Sequence, residues 1–262
     1  MISVLQLGTL DYATGLRLQE KLVSLRKEGR IGDVLLLLEH TPVITLGRNA
    51  RSTNIVASPE QLGQRGVEIF ECDRGGDVTF HGPGQLVAYP IFDLRAFPSH
   101  SPNRASMGVI EFVRNLEESL IRTCAELGIP AKRIDGLTGV WTDNAEAQQP
   151  EAKIAALGIH ISRGVTSHGI ALNVNTDLRF FDLIIPCGIA SKPVTSIAKA
   201  LCREVPIQNV AHILARNFGT VFQSQVLWLD SLEALTGTSL GIPMRIPAKL
   251  RDIHDSDDTA WA

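Results

Sequence analysis

Apolar residues recur at steps of three and four along two segments of the chain, residues 105–127 and 207–222. This spacing places them on one face of a helix and predicts two amphipathic α-helices. Gly128 and Pro130 are expected to end the first helix, because neither residue continues a helix well. A further helix is predicted over residues 12–28. The apolar positions of the two amphipathic helices are Val109, Val113, Leu116, Leu120, Cys124 and Leu127, and then Val210, Ile213, Leu214, Phe218 and Val221.

Short apolar runs between these helices predict β-strands. The strands cluster instead of alternating regularly with helices, which favours an α+β fold over a doubly wound parallel sheet. We predict one domain over residues 1–230, followed by a partly flexible C-terminal extension over residues 231–262, where the pattern weakens and the end is acidic. The predicted strands are 2–7, 34–39, 43–46, 67–72, 139–142, 153–161 and 170–174, with further strands around a tight turn within 74–89.

Composition excludes several classes of protein. The 262 residues are 44% hydrophobic and 20% charged, as in ordinary globular proteins, and the net charge is −3. No basic excess indicates a nucleic-acid or anionic-membrane partner, although a local basic patch for an acidic partner stays open. The chain shows no signal or transit peptide and no apolar run of membrane-spanning length, so we expect a cytoplasmic protein with reduced thiols. None of the four cysteines forms a C-x-x-C pair, and we expect no metal and no cofactor.

A glycine-rich segment, residues 74–85, concentrates polar side chains of the kind found in binding sites. Glycine and proline make up five of its twelve residues and frame Arg74 and His81. Glycines allow a backbone to approach a ligand closely and to offer N–H donors. The alternative is an ordinary hairpin turn with Arg74 on the surface. The segment is neither a P-loop nor a dinucleotide-binding fingerprint.

Two strands carry further candidates. Lys153 begins an otherwise apolar strand, and Gly158 within it suggests a close approach of a ligand or another backbone. A lysine at a strand end is usually solvated, which is the alternative for Lys153. In the next strand Gly169 and Ala171 would leave room for an acyl chain, whereas His168 is equally well explained as a satisfied, partly buried histidine.

Cys187 is the candidate nucleophile. It lies between a proline and a glycine, and the glycine N–H is suited to stabilise a developing oxyanion. A free thiol has a pKa of about 8.5, so a neighbouring ammonium such as that of Lys153 would favour the thiolate. Most cysteines are small buried apolar residues, which suits Cys124 and Cys202. Cys72 borders the glycine-rich segment and is the main rival.

Taken together and in order, these segments resemble the lipoyl(octanoyl) transferase family. The motifs that carry the resemblance are EHTPVITLGR (39–48), RGGDVTFHGPGQLVAYP (74–90), GVW (139–141), KIAALGIHI (153–161), TSHGIALNV (166–174), PCGI (186–189) and VTS (194–196). The resemblance implies a mixed β-sheet flanked by helices, similar to the lipoyl and biotin protein ligase fold.

The resemblance also implies an activity, which is the first step of endogenous lipoate biosynthesis. An octanoyl group would pass from octanoyl-acyl carrier protein, through a thioester on Cys187, to a lysine of a lipoyl domain, with Lys153 lowering the thiol pKa. The implied acceptors are lipoyl domains of 2-oxoacid dehydrogenase complexes and the glycine cleavage H protein. The implied substrate contacts are Arg74, Gly75, Gly76, Asp77, Val78, Thr79, Phe80, His81, Ala156, Leu157, Gly158, Gly169, Ile170 and Ala171.

Two other functions compete with this one. An ATP-dependent lipoate–protein ligase would share the fold, but it would work through an adenylate and would not need Cys187. A catalytically silent module that only binds lipoyl domains would be expected to lack Cys187 or Lys153, and the chain contains both.

Overall fold

The computed structural model describes residues 1–142, 151–186 and 192–242. An eight-stranded mixed sheet dominates it, with strand order β11-β1-β2-β6-β10-β9-β8-β7. The β1–β2 and β1–β11 pairs are parallel, and the others are antiparallel. Its strands are β1 (Ile2–Leu10), β2 (Asp33–His40), β6 (Gln85–Ile91), β7 (Ala131–Ile134), β8 (Leu137–Thr142), β9 (Lys153–Ser162), β10 (Val165–Asn173) and β11 (Val226–Trp228).

Helices cover both faces of this sheet and bury their apolar faces against it. One face packs against α3 and α5, whose apolar stripes bury Leu116 and Leu214 completely. The other face packs against α1, which begins after Asp11, whose carboxylate accepts a hydrogen bond from the Thr14 N–H. The helices are α1 (Tyr12–Lys27), α2 (Pro59–Gln64), α3 (Val109–Glu126), α4 (Ile197–Leu201), α5 (Ile207–Val221) and α6 (Leu232–Thr236).

A second, three-stranded sheet has the order β4-β3-β5, with β3 (Val43–Leu46), β4 (Glu68–Glu71) and β5 (Val78–His81). The tight turn at 82–84 therefore joins β5 of the small sheet to β6 of the large one. A hairpin, the alternative for this segment, is wrong, since β5 pairs with β3 and β6 pairs with β2 and β10. The chain crosses between the sheets here, and the glycine-rich segment lies between them.

Most predicted elements are confirmed, with shifted ends. The first amphipathic helix begins at Val109 and not at residue 105, because Gly108 has extended backbone angles and caps it. The predicted loop at 144–151 lies almost wholly outside the described residues. Past residue 230, Leu232, Leu235, Leu240 and Ile242 pack against the core on the α1 side. The domain boundary at 230 stays a prediction.

Within the described ranges, no helix is both long and apolar enough to cross a membrane.

Candidate active site

A cavity lies where the two sheets and the start of α1 meet, with about 460 Å³ of empty space including its opening to solvent. Arg74 and His81 reach it from the glycine-rich segment, whereas Ala156 and Ala171 face it from the paired strands β9 and β10. Its complete lining is Tyr12, Arg74, Gly76, Asp77, Thr79, His81, Val87, Tyr89, Ala156, Leu157, Gly158, His168, Gly169, Ile170 and Ala171.

The glycine-rich segment lies directly across β9. The Gly75 N–H donates to the Ile159 carbonyl at 2.9 Å. A Cβ on Gly158 would come within 2.6 Å of the Gly75 oxygen, so only glycine fits at this position. The close approach of another backbone, predicted from a glycine within the strand, is confirmed. The segment therefore forms one wall of the cavity.

Arg74 is buried, so its predicted surface alternative is wrong. Its Nη2 donates to the Thr45 carbonyl at 2.6 Å and its Nε donates to the Thr45 hydroxyl at 3.1 Å, while Nη1 donates to the Gly75 carbonyl at 3.2 Å. The guanidinium thus ties the glycine-rich segment to β3, and it also lines the cavity. The buried guanidinium therefore fixes the cavity wall formed by the glycine-rich segment, and it also adds a positive charge there.

The predicted contact segment divides between the cavity and the core. Thr79 and His81 line the cavity, whereas Val78 and Phe80 point to the opposite face of β5 and join the core of the small sheet. Alternation along a strand separates them in this way. Gly75 supports the wall through its backbone, and the remaining predicted contacts line the cavity.

His81 is held as a neutral imidazole with a defined tautomer. Gln85 donates through Nε2 to the Phe80 carbonyl and to Asn173, which leaves its Oε1 to accept from His81 Nδ1 at 2.8 Å. Burial lowers the pKa of His81 to about 3, and neighbouring His40 adds to this effect. Nε2 is therefore the proton-accepting atom of the ring at neutral pH.

Both tyrosines of the chain line the cavity, and neither was predicted from the sequence to do so. Tyr89 donates its hydroxyl proton to His40 Nε2 at 2.7 Å, because His40 Nδ1 donates to the Leu10 carbonyl. Burial lowers the pKa of His40 to about 4, so this ring is also neutral. Tyr12 stacks on His81 with ring centroids 6.2 Å apart. The sequence feature that could have drawn attention to them is that the chain contains only two tyrosines.

His168 lines the same cavity and donates from Nε2 to Asp73 at 2.7 Å. Burial lowers the pKa of His168, although the hydrogen bond to Asp73 opposes this shift. His168 has a left-handed backbone (φ 55°) and is followed by Gly169, where a Cβ would lie 2.1 Å from the Ala88 oxygen. The close contact between strands β10 and β6 is therefore the main reason for a glycine at position 169. Space for a ligand is a secondary reason.

Lys153 faces a second, more polar and more open cavity, with about 1120 Å³ of empty space including its opening to solvent. The two cavities share Gly76, Asp77 and Leu157 as lining residues and are therefore adjacent. Lys153 is buried, so the solvated alternative is wrong, and its Nζ lies 4.7 Å from the centre of the Trp141 ring.

The cysteines differ in their surroundings. Cys187 lies outside the described residues, and its predicted role stays a prediction. Burial raises the pKa of the Cys124 thiol to about 12, as expected of a core residue. Cys202 is exposed, contrary to the expectation of a buried residue. The rival Cys72 donates to the Leu46 carbonyl at 3.5 Å and is not among the residues that line the described cavity.

Comparison with known proteins decides the family. Residues 11–219 match the family described as "Lipoyl protein ligase A/B catalytic domain". The chain belongs to this family. It is 59% identical over 257 residues to an octanoyltransferase of Koribacter versatilis, covering 98% of each chain. It is 56% identical over 233 residues to an octanoyltransferase of Acidobacterium capsulatum, covering 88% of this chain and 94% of that one. The resemblance to the lipoyl(octanoyl) transferases is therefore confirmed.

Solved structures of the lipoyl protein ligase A/B kind share the fold. A bi-partite lipoate protein ligase from Thermoplasma acidophilum has a TM-score of 0.68 at 18% identity, with 90% of each chain covered. A lipoate-protein ligase A bound with ATP has a TM-score of 0.65 at 15% identity, covering 88% of this chain and 89% of that one. These matches confirm the predicted mixed sheet flanked by helices.

Proposed function

We propose that this chain is an octanoyltransferase that moves an octanoyl group from acyl carrier protein to a lysine of a lipoyl domain. The observation that supports it best is the pair of adjacent cavities, one close to Ala156 and Ala171 and one containing Lys153. The first suits an alkyl tail: six methylenes leaving water contribute roughly 5 kcal/mol at about 0.8 kcal/mol each. The second suits the polar ends of donor and acceptor.

The chemistry proceeds in two transfers. The Cys187 thiolate attacks the thioester carbonyl of the donor, the carbon–sulfur bond to the carrier breaks, and the departing thiolate takes a proton from Lys153. The acceptor amine then attacks the enzyme thioester, and an amide forms as Cys187 leaves. The amine proton returns to Lys153, so each group ends in its starting state.

Two buried histidines at the cavity do not titrate at neutral pH. His81 and His40 are neutral, so neither adds a charge to a site meant for an alkyl chain. Arg74 is held by Thr45 and keeps Gly76 and Asp77 in place between the two cavities. The proposal includes the lipoyl domains of 2-oxoacid dehydrogenase complexes and the glycine cleavage H protein as acceptors, and a cytoplasmic location.

Intact mass spectrometry after incubation with octanoyl-acyl carrier protein tests the proposal. We expect wild type to gain one octanoyl group without ATP, Cys187→Ser to gain none, and the matched control Cys72→Ser to behave as wild type. A strict requirement for ATP and free acid would favour the ligase instead. Full turnover by Cys187→Ser with an adduct on Cys72 would contradict the proposed nucleophile.

A further inference from the structure

Trp141 is a buried residue next to Lys153. It is buried to 1% exposure on β8, and its ring contacts two ammonium groups, with Lys153 Nζ at 4.7 Å and Lys192 Nζ at 5.5 Å from the ring centre. An ammonium over an indole face is attracted by the electron-rich ring, and burial strengthens the attraction.

The backbone enforces this contact. Val140 pairs with Ala155, but Trp141 pairs with Lys153, so β9 contains one extra residue at this point. Such a bulge re-aims the side chains beside it. On the other side, the Lys153 N–H donates to the Pro193 carbonyl at 2.8 Å, and the Lys153 carbonyl accepts from the Thr195 N–H at 2.9 Å. The backbone of Lys153 is thus held by β8 on one side and by residues 193–195 on the other, with its side chain next to the Trp141 ring.

Gly139 leaves space for the lysine stem. Its φ is 133°, which favours glycine, and a Cβ there would lie 3.2 Å from Lys153 Cε and 3.0 Å from the Ala155 oxygen. A side chain at Gly139 would push the stem of Lys153 away from its present path. The glycine and the bulge together direct one ammonium to the Trp141 ring.

The second ammonium is compensated. Lys192 pairs with Glu151 at 2.7 Å, and Glu151 also pairs with Lys132 at 2.9 Å. Hydrogen bonds from Lys132 and Lys192 lower the pKa of Glu151 to about 2, so the carboxylate stays ionised at neutral pH. Its negative charge offsets the repulsion between Lys192 and Lys153 at the ring.

The ring itself, and not the indole N–H, is the part in use. Trp141 Nε1 is buried and has no hydrogen-bond partner among the described residues. A buried donor left unpaired is unfavourable, so the N–H does not explain a tryptophan here. The electron-rich face does explain it, since two cations lie within reach of it.

We propose that Trp141 is a positioning residue that holds the Lys153 ammonium at the second cavity. The inference rests on the proposed function, in which Lys153 activates Cys187. The proposed effect of Trp141 on the thiol passes through Lys153, so loss of Trp141 should alter thiol reactivity only while Lys153 is present.

The test is the rate of iodoacetamide alkylation at Cys187 across pH, followed by mass spectrometry. We expect Trp141→Leu to slow alkylation at pH 7 by about three- to tenfold, in the direction of Lys153→Ala, because a cation–π contact of this kind is lost. Trp141→Phe keeps an aromatic face and should stay within about twofold of wild type. In a Lys153→Ala background, Trp141→Leu should change nothing further.

A shape-preserving replacement covers the case in which Trp141→Leu fails to fold. Fluorinated tryptophan weakens the negative face of the ring with little change in size, and Trp228→Phe with Trp261→Phe confines the label to Trp141. Slower alkylation in the labelled protein is the expected result. An unchanged rate, or a Trp141→Leu effect that persists without Lys153, would overturn the inference. If Lys153→Ala itself matches wild type, the proposed activation of Cys187 is wrong.

Discussion

At the scale of single residues, the small side chains of β9 and β10 set the width of the cavity that we propose for the acyl chain. Ala156 and Ala171 lie opposite each other in the strand register and both face the cavity. Each has its side chain on the α1 face, where Val87 and Tyr89 complete the wall. A methyl group at both positions leaves space that a branched side chain would fill.

Ala171→Val should therefore shorten the preferred acyl chain. Two added methyl groups displace about two methylenes of an octanoyl tail, which costs roughly 1.6 kcal/mol or about a fifteenfold loss in octanoyl transfer. Butanoyl transfer should change little. Transfer rates for butanoyl, hexanoyl and octanoyl donors measure this, with Ala125→Val on the exposed face of α3 as the control. The same chain preference in both variants would contradict the assigned cavity.

At the scale of elements, the pairing of β6 with β10 limits the size of the residue at position 169. Residues 85–88 of β6 pair with residues 170–173 of β10, and Gly169 immediately precedes this register. A Cβ there would lie 2.1 Å from the Ala88 oxygen and 2.7 Å from Pro90 Cδ. Real side chains do not tolerate contacts of this length, so a larger residue would separate the strands.

Gly169→Ala should destabilise the fold itself, by about 2–3 kcal/mol as an overpacked site. Gly32→Ala is the matched control, since a Cβ there meets nothing within 4 Å and its backbone is not left-handed. Urea unfolding of both variants measures the difference. A Gly169→Ala protein as stable as the control would mean that β10 shifts without cost, and the close approach would not be a constraint.

At the scale of the whole molecule, packing the small sheet and α1 on the large sheet removes ionisable rings from water. His40 is fully buried between Leu10 and Tyr89, and His81 is buried beside it. Their pKa values, about 4 and about 3, lie below the value of about 6.5 for an unfolded histidine. Between these values the unfolded chain binds more protons than the folded one.

The free energy of unfolding should therefore fall as pH falls below about 6.5. With two such rings the slope approaches about 2.7 kcal/mol per pH unit near pH 5, above the range in which most carboxylates titrate. His40→Gln should remove about half of the slope. Denaturant unfolding at pH 7, 6 and 5 gives the slope, and a flat profile in wild type would contradict the neutral assignment.

The sequence by itself determined most of the elements and led to several of the residues that line the cavity. Apolar spacing is a local property, so β3 was predicted at its observed ends and α5 to within one residue. The glycine-rich motif led to Arg74 and His81, because glycine and polar residues concentrate where a backbone approaches a ligand. The wholly local pattern of 82–84 still predicted a turn correctly.

Only the tertiary structure decided which of these elements share a sheet and which side chains meet. The turn at 82–84 connects two sheets because β5 before it pairs with β3, whereas β6 after it pairs with β2. Both partner strands lie more than 30 positions away in the sequence. Tyr12 reaches the cavity for the same reason, through the packing of α1. The contact between Trp141 and Lys153 depends on a one-residue bulge, which apolar periodicity does not reveal, because the bulge arises from pairing between strands and not from either strand alone.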